Sequence, residues 1–209
     1  MHTAFILDAA KAIQQSILDN EAALESLDRA IGDGDHYINM KRGAQAIVGM
    51  QEELASLNTA LALNKIGLKL LSTLGGASGP LLASFFMSMA KQWPAAENAN
   101  PLSIALAFDA GVQAIMLRGK ADLGEKTMLD VLIPVSQQFK QLAEKNQSKA
   151  YICSALIESA EQGLINTRDL IATKGRAAGL GERAIGHLDP GAKSCQLMIT
   201  AVCQLALTP

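Results

Sequence analysis

Long segments of helical periodicity dominate this chain, and they limit its fold more than any other feature. Between residues 3 and 27, apolar side chains recur at roughly the three- and four-residue spacing of an α-helix. Alanine and leucine are abundant, whereas valine, threonine and aromatic residues are sparse, and this balance favours helices over strands. No segment shows the period-two alternation of a strand. The sequence therefore predicts an all-α protein.

Breaks in this periodicity predict eight helices, because glycine, proline and polar residues interrupt it at seven places. The predicted helices cover 3–27, 38–57, 60–74, 81–92, 103–118, 127–145, 150–173 and 192–207. Short connections favour antiparallel neighbours, so we expect an up-and-down bundle of amphipathic helices. At 209 residues, the chain fits one domain spanning residues 1–209.

The segment LDRAIGDGDHYINMKRG, residues 27–43, carries the densest charge of the chain. Gly34 lies between Asp33 and Asp35 and lets the backbone turn, so that both carboxylates can converge on one point near Asp28. Carboxylates this close repel one another unless a cation neutralises them, and ligation by oxygen alone favours Mg²⁺, Ca²⁺ or Mn²⁺ over zinc. A solvated acidic turn, in which Asp35 helps to cap the next helix, explains the same residues equally well.

Four segments with glycine and charge follow the first, third, fifth and seventh predicted helices. They are residues 28–37, 75–80, 119–126 and 174–191. In an up-and-down bundle, alternate connections lie at the same end, whereas the connections after the even-numbered helices are plain. The sequence therefore predicts that every segment with chemical character lies at one end of the bundle.

Phosphate binding is the chemistry that these segments favour together. GGASGP, residues 75–80, offers unobstructed backbone N–H groups that lead into a helix N-terminus, although a tight interhelical turn would use the same residues. Arg176 and His187 add donors, while His36 and His187 can equally make local hydrogen bonds. Four further basic residues are either solvated surface charge or a rim for an anionic partner: Arg118, Lys120, Lys126 and Arg183.

Composition and motifs exclude several classes of protein. A net charge of −2 gives no electrostatic footprint for nucleic acid or an anionic membrane, and no apolar run reaches the length that spans a bilayer. The chain has no P-loop motif, no dinucleotide fingerprint after a strand and no EF-hand spacing. Three widely spaced cysteines (Cys153, Cys195 and Cys203) indicate buried, reduced thiols. Because no signal peptide is recognisable, the expected location is the cytoplasm.

Four ordered segments that span nearly the whole chain resemble the L subunit of dihydroxyacetone kinase, which binds the nucleotide. They are LDRAIGDGDHYINMKRG, LLSTLGGASGP, RGKADLGEKTMLDVLIP and KGRAAGLGERAIGHLDPGAKS. The resemblance implies a barrel of eight antiparallel helices that holds tightly bound ADP at one end through two Mg²⁺ ions. Asp28, Asp33 and Asp35 stand at the metal-binding positions of that family.

The resemblance also implies a set of nucleotide contacts. The matching positions are His36, Tyr37, Ile38, Asn39, Ala77, Ser78, Gly119, Thr127, Met128, Arg176, Asp189, Pro190 and Gly191. Tyr37 departs from the family, which usually has glycine there, so we expect an ordinary φ angle and a side chain that points away from the nucleotide. The same comparison gives no certain catalytic residue.

In activity, the resemblance implies phosphoryl transfer to dihydroxyacetone held on a separate K subunit. A phosphohistidine protein of the phosphotransferase system, the M subunit, would rephosphorylate the bound ADP. A subunit that uses exchangeable ATP is the alternative within the family. A metal-dependent phosphatase and a non-catalytic helical adaptor are alternatives from other classes, and a homodimer stays open.

Overall fold

A computed structural model describes residues 3–94 and 99–208, and this part of the chain is helical without a strand. The predicted linker 93–101 lies partly outside the described residues. The α-helices are α1 (Thr3–Asp19), α2 (Glu21–Ile31), α3 (His36–Val48), α4 (Gln51–Ala55), α5 (Thr59–Thr73), α6 (Ser78–Gln92), α7 (Pro101–Gly119), α8 (Leu129–Glu144), α9 (Lys149–Asn166) and α10 (Pro190–Leu207). Two 3₁₀ segments, Thr167–Asp169 and Arg176–Ala184, lie between α9 and α10. The all-α prediction is confirmed.

The predicted count of eight continuous helices is wrong at two places. The first predicted helix breaks at Asn20, whose side-chain amide donates a hydrogen bond to the carbonyl of Ser16 over 2.9 Å. Asparagine competes for backbone groups in this way, and α2 starts afresh at Glu21. The second predicted helix breaks at Gly49 and Met50, which leaves the single turn of α4.

Two predicted loops contain more helix than expected. Residues 75–80 were expected to stay outside helices, yet α6 begins at Ser78 and includes Gly79 and Pro80. Proline is tolerated in a first turn because its missing N–H would have no partner there. In the predicted loop 174–191, residues Arg176–Ala184 form short 3₁₀ turns that are interrupted at Gly181, which has φ +58°.

Neighbouring helices pack on one another in a closed order. Each helix from α5 to α10 contacts the next, α10 contacts α1, and α1 contacts α3, which returns to α5. Their apolar faces form one main core, in which Ile17, Leu24, Leu54 and Val131 are almost completely inaccessible to solvent. All three cysteines are buried free thiols, as predicted.

Close helix packing depends on glycine where α8 meets α9. A Cβ atom on Gly163 would lie 2.5 Å from the carbonyl oxygen of Asp130 and 3.0 Å from Cα of Val131. Both are backbone atoms that cannot move aside without shifting α8. The α8–α9 spacing is therefore compatible only with a residue that has no side chain at this position.

Helix α7 corrects the expectation that no segment could span a membrane. By length and composition it is apolar enough to do so. It packs between α6 and α8 and buries Ala105, Ala107, Val112 and Ile115. A core helix of a water-soluble protein meets the same criterion, so α7 by itself is weak evidence for a membrane.

Candidate functional site

Three carboxylates meet where α2 gives way to α3. One oxygen from each of Asp28, Asp33 and Asp35 lies within 4.8 Å of the others. The sequence predicted Asp28 in the loop that follows the first helix. It lies instead in the last turn of α2, where it is buried. Asp33 and Asp35 are exposed on the turn, and Gly34 between them has φ +82°, a conformation that glycine adopts readily. The turn thus brings two exposed carboxylates next to one buried carboxylate.

Asp28 also organises the turn through its hydrogen bonds. Its Oδ2 accepts from the backbone N–H of His36 over 2.9 Å, and its carbonyl accepts from the N–H of Gly32 over 2.6 Å. A Cβ on Gly32 would stand 1.7 Å from Oδ1 of Asp28. Asp35 stands at the N-cap position of α3, but its side chain makes no capping hydrogen bond, and the Asp28 carboxylate accepts from the first N–H of the helix instead. The alternative in which the Asp35 side chain helps to cap this helix is therefore not supported.

The chemistry of this donor set fits a hard divalent cation. All three side chains offer oxygen, and Mg²⁺ prefers oxygen ligands and keeps several of its waters. One buried and two exposed carboxylates leave room for water and for phosphate oxygens on the open side. Asp28, Asp33 and Asp35 are therefore the residues that would hold Mg²⁺.

Arg176 approaches the same carboxylates from the segment between α9 and α10. Its Nε lies 2.7 Å from Oδ2 of Asp33, and the guanidinium remains largely exposed. A small second hydrophobic cluster supports this approach and consists of Ile31, Ala172, Ala177 and Ala184. The segment therefore folds over the end of α2 and places a cation beside the acidic turn.

His36 joins the acidic turn to the start of α10. Its Nε2 lies 3.2 Å from Oγ of Ser194, whose hydroxyl donates to the carbonyl of Gly191 over 3.0 Å. Burial lowers the pKa of His36, while the carboxylates of Asp28 and Asp35 act in the opposite direction. The imidazole ring therefore lies between the carboxylates and the first turn of α10.

The first turn of α10 contains three of the predicted nucleotide contacts. The Asp189 carboxylate caps this helix by accepting from the N–H of Ala192 over 2.7 Å. Burial raises the pKa of Asp189 to about 7, and the nearby Asp130 carboxylate adds to this effect. Pro190 is buried at the first helical position, and Gly191 follows it. The amide groups of this turn face the same end of the molecule as His36.

The turn between α5 and α6 is tied to α3 by Asn39. The buried side chain of Asn39 accepts, through Oδ1, from the N–H of Gly75 over 3.4 Å. Ala77 caps α6 and Ser78 is its first residue, so this helix N-terminus opens beside α3. Ile38, the neighbour of Asn39, is about half exposed.

The loop between α7 and α8 is organised by Asp130. Its buried carboxylate accepts from the N–H groups of Gly124 over 2.6 Å and Thr127 over 2.7 Å. The Thr127 hydroxyl accepts from the N–H of Leu129 over 3.1 Å and not from that of Asp130. Thr127 and Asp130 therefore form only half of a capping box, namely the half in which Asp130 reaches back to the N–H of Thr127.

Direct contacts join this loop to the other segments. The Lys126 ammonium donates to the carbonyl of His187 over 2.6 Å, and Gly119 lies next to Leu81 in α6, where a Cβ on the glycine would be 3.4 Å from Cδ2 of the leucine. Together with the Arg176–Asp33 and Asn39–Gly75 contacts, they link all four glycine-bearing segments. The prediction that these segments share one end of the bundle is confirmed.

Lys126 is the residue that sequence reasoning placed wrongly. It was expected at the surface, yet it is only 1% exposed. Its ammonium donates to the carbonyl oxygens of Thr167 over 2.5 Å, Arg168 over 3.3 Å and His187 over 2.6 Å. Burial lowers the pKa of Lys126, and the Asp189 carboxylate opposes this change. A lysine in a charged, glycine-containing loop carries no sequence signal for such burial.

Tyr37 behaves as the sequence expectation required. It lies in α3 without a positive φ angle and is 3% exposed. Its ring lies 5.5 Å from Nζ of Lys41, and burial and the carboxylate of Glu21 raise the pKa of its phenol. The side chain therefore packs between α2 and α3, so the acidic turn does not have to accommodate it.

Residues 30–204 match the DAK2 domain. Over 176 residues the chain is 40% identical to the PEP-dependent dihydroxyacetone kinase, ADP-binding subunit DhaL, of Escherichia coli, with 84% of each chain covered. It is 37% identical over 191 residues to the PTS-dependent dihydroxyacetone kinase, ADP-binding subunit DhaL, of Lactococcus lactis, with 91% of each covered.

A solved structure shows the same fold at lower sequence identity. The dihydroxyacetone kinase of C. freundii in complex with AMP-PNP and Mg²⁺ superposes with a TM-score of 0.75 at 24% identity. The alignment covers 96% of this chain and 34% of that one, so the chain corresponds to about a third of the larger kinase. Because the DAK2 match covers most of its length and the L-subunit similarity runs over 84% of it, this chain belongs to the DAK2 domain family.

Proposed function

We propose that this protein is the ADP-binding subunit of a dihydroxyacetone kinase that depends on the phosphotransferase system. A phosphohistidine protein of that system (the M subunit) rephosphorylates the bound ADP. The new γ-phosphate then passes to dihydroxyacetone on the K subunit. The observation that carries the proposal is the meeting of Asp28, Asp33 and Asp35 beside the N-termini of α6 and α10.

Each part of this end has a separate task in phosphoryl transfer. Bound Mg²⁺ would supply charge neutralisation for the phosphates, and the three carboxylates hold it. Arg176 lies beside Asp33 and supplies a planar donor for phosphate oxygens. The first turns of α6 and α10 present backbone N–H groups, which favour anions through both hydrogen bonds and the helix dipole.

The resemblance to the L subunit of dihydroxyacetone kinase also supports the number of metal ions, the tight binding of ADP and the barrel architecture that we propose. Two Mg²⁺ ions offset most of the combined charge of three carboxylates and a nucleoside diphosphate, and ADP stays tightly bound between turns of the chain. The closed packing order from α1 through α10 supports a helical barrel. The proposed protein is a single domain of residues 1–209, acts in the cytoplasm, and presents its nucleotide end to both partner subunits.

The nucleotide that copurifies with the protein tests this proposal. Protein purified without added nucleotide should release one equivalent of ADP on acid denaturation, and EDTA should speed its loss from the native protein. Asp33→Asn should lower the ADP content, whereas Asp8→Asn, on the exposed surface of α1, should not. Protein that is free of nucleotide and exchanges ATP rapidly would favour the ATP-dependent alternative. Phosphoester hydrolysis that Asp33→Asn abolishes would favour a phosphatase.

A further inference from the structure

The segment between α9 and α10 leaves the helical body and returns to it at one narrow point. The N–H of Gly186 donates to the carbonyl of Arg168 over 2.8 Å, and the N–H of Asp189 donates to Oγ1 of Thr167 over 3.0 Å. We call residues 167, 168, 186 and 187 the neck, and residues 169–185 the covering loop. Arg176 lies on the covering loop, and Asp189–Gly191 follow directly after the neck.

Lys126 reaches the neck from a different part of the chain. Its ammonium donates to the carbonyls of Thr167 and Arg168, where the chain enters the covering loop, and to that of His187, where the chain leaves it. An ammonium group has three donor protons, and here three carbonyl oxygens face it. Both chain segments of the neck are therefore held by a single charged group, which comes from the loop between α7 and α8.

The surroundings of Lys126 explain why a charge can remain inside the protein. The carboxylates of Asp189, Asp169 and Asp130 are close enough to favour its charged form. Without the ammonium, the His187 carbonyl would lose the donor that it has in the described structure, and the Thr167 carbonyl, on a fully buried residue, would keep only the 3.3 Å hydrogen bond from the N–H of Leu170. A carbonyl without a donor costs folding free energy when it is shielded from water. The two segments of the neck would therefore separate or admit water.

Glu125 supports the same connection from the outside. Its carboxylate accepts from the hydroxyl of Thr173 over 2.8 Å and lies 3.7 Å from Nζ of Lys174. The N–H of Thr173 donates to the Glu125 carbonyl over 3.3 Å. The contacts of the Glu125 side chain are exposed and correspondingly weak, whereas those of Lys126 are buried or partly buried. Two successive residues therefore hold the covering loop, and Lys126 supplies the stronger contact.

We propose that Lys126 is a positioning residue that holds the neck closed and thereby keeps Arg176 and Asp189–Gly191 arranged around the nucleotide. Its ammonium donates to three backbone carbonyls, and it acts through them. Its effect on nucleotide release rests on the proposed function. Its effect on the covering loop does not, and this difference separates the two in experiment.

Lys126→Met tests the proposal, because methionine keeps an unbranched side chain of similar length but has no charge and no donor. Lys120→Met is a matched control: Lys120 lies near the start of the same interhelical connection, is exposed, and has φ +48° where Lys126 has φ +59°. Both substitutions therefore replace lysine by methionine in a left-handed backbone conformation, and only one removes the buried contacts.

Hydrogen exchange on nucleotide-free protein provides the first measurement. Lys126→Met should speed amide exchange of residues 169–185 by on the order of tenfold or more while the core of α5 to α8 keeps its protection. Release of bound ADP should accelerate by a similar factor, and Lys120→Met should match the wild type in both. Unchanged exchange of the covering loop, or equal acceleration in every helix, would overturn the proposal. If loop exchange accelerates but no nucleotide is bound, only the proposed function fails.

The wild-type protein offers a second test that needs no folded variant. If Lys126 holds the neck, its Nζ protons should be protected from exchange in the same opening event as the amides of Gly186 and Asp189. A ¹⁵N spectrum should then show a persistent ammonium signal that Lys120, which is exposed, does not give. Nζ protons of Lys126 that exchange like those of Lys120 would overturn the proposal.

Discussion

The backbone N–H of His36 donates to Oδ2 of Asp28 over 2.9 Å, across eight residues of sequence. This hydrogen bond joins the end of α2 to the start of α3. It therefore fixes the two ends of the turn that carries Asp33 and Asp35. It also uses one oxygen of Asp28, so the other is the one left free to hold a cation. Within the acidic turn, Asp28 is buried and held by a backbone N–H, whereas Asp33 and Asp35 are exposed.

Gly32→Ala should weaken metal binding without unfolding the protein. A Cβ at this position would collide with Oδ1 of Asp28, so the carboxylate must rotate away from Asp33 and Asp35. We expect the dissociation constant for Mg²⁺, measured by calorimetry on nucleotide-free protein, to rise by roughly tenfold or more. Gly49→Ala is the control, because Gly49 has α-helical dihedral angles that alanine adopts. Wild-type Mg²⁺ affinity in Gly32→Ala would contradict the arrangement.

Tyr37→Phe should leave stability unchanged or raise it slightly. The phenolic oxygen is buried without a well-aligned hydrogen bond in the described part of the chain, and its polar neighbours are the side chains of Glu21 and Lys41, so its removal loses only a weak contact. Tyr37→Gly, which restores the residue usual in the family, should instead cost about 3 kcal/mol or more through the cavity and the helical glycine. Urea unfolding of both variants measures these changes. A clear loss of stability in Tyr37→Phe would show that the hydroxyl has a partner.

Asp189 should make stability depend on pH near neutrality. Its pKa is raised to about 7 in the folded protein, whereas an unfolded aspartate titrates near 3.9. The folded state therefore holds this proton more tightly, and the resulting stabilisation is complete below about pH 4 and is lost as the pH rises through about 7.

Asp189→Asn isolates this contribution, because asparagine caps helices as well as aspartate and does not titrate. Relative to the wild type, the free energy of unfolding of the variant should rise by roughly 2 to 3 kcal/mol between pH 5 and pH 8. The free energy of unfolding of nucleotide-free protein in EDTA, measured with urea across this range, provides the comparison. A difference between the two proteins that stays constant with pH would count against a raised pKa.

Gly163→Ala should destabilise the helical body by roughly 2 kcal/mol or more, since its Cβ would press on the backbone of Asp130 and Val131. Gly179→Ala should have little effect, because no atom lies within 4 Å of its Cβ position and its φ is not positive. Thermal unfolding followed by circular dichroism distinguishes the two. Equal melting temperatures would show that α8 and α9 can separate without cost.

Sequence periodicity predicted the helical class because burial of an apolar stripe depends mainly on spacing. It failed at Asn20, where the side chain donates a hydrogen bond to the carbonyl of Ser16 and so competes with the backbone of the helix. The spacing of apolar residues contains no information about such a side-chain hydrogen bond. The placement of the four glycine-bearing segments at one end was predictable from the alternation of direction, and the extra breaks did not disturb it.

Within the candidate site, charge and spacing identified the carboxylates but not what surrounds them. The proximity of Asp33 and Asp35 could be predicted, because the glycine between them, Gly34, allows the backbone to turn. The burial of Lys126 was not predictable, because its partners are backbone carbonyls of Thr167, Arg168 and His187, and every residue type has a carbonyl. Contacts made by backbone atoms leave no trace in side-chain composition.

The covering loop rests on the body through a cluster built mainly of alanines (Ala172, Ala177 and Ala184 against Ile31). Alanine side chains bury little apolar area, and the sensitivity of an opening reaction to urea scales with the surface that it exposes. Opening of this loop should therefore have a small urea dependence, while unfolding of the helical body has a large one. At low urea, the protein should open at its nucleotide end first, as a separate cooperative unit with its own free energy.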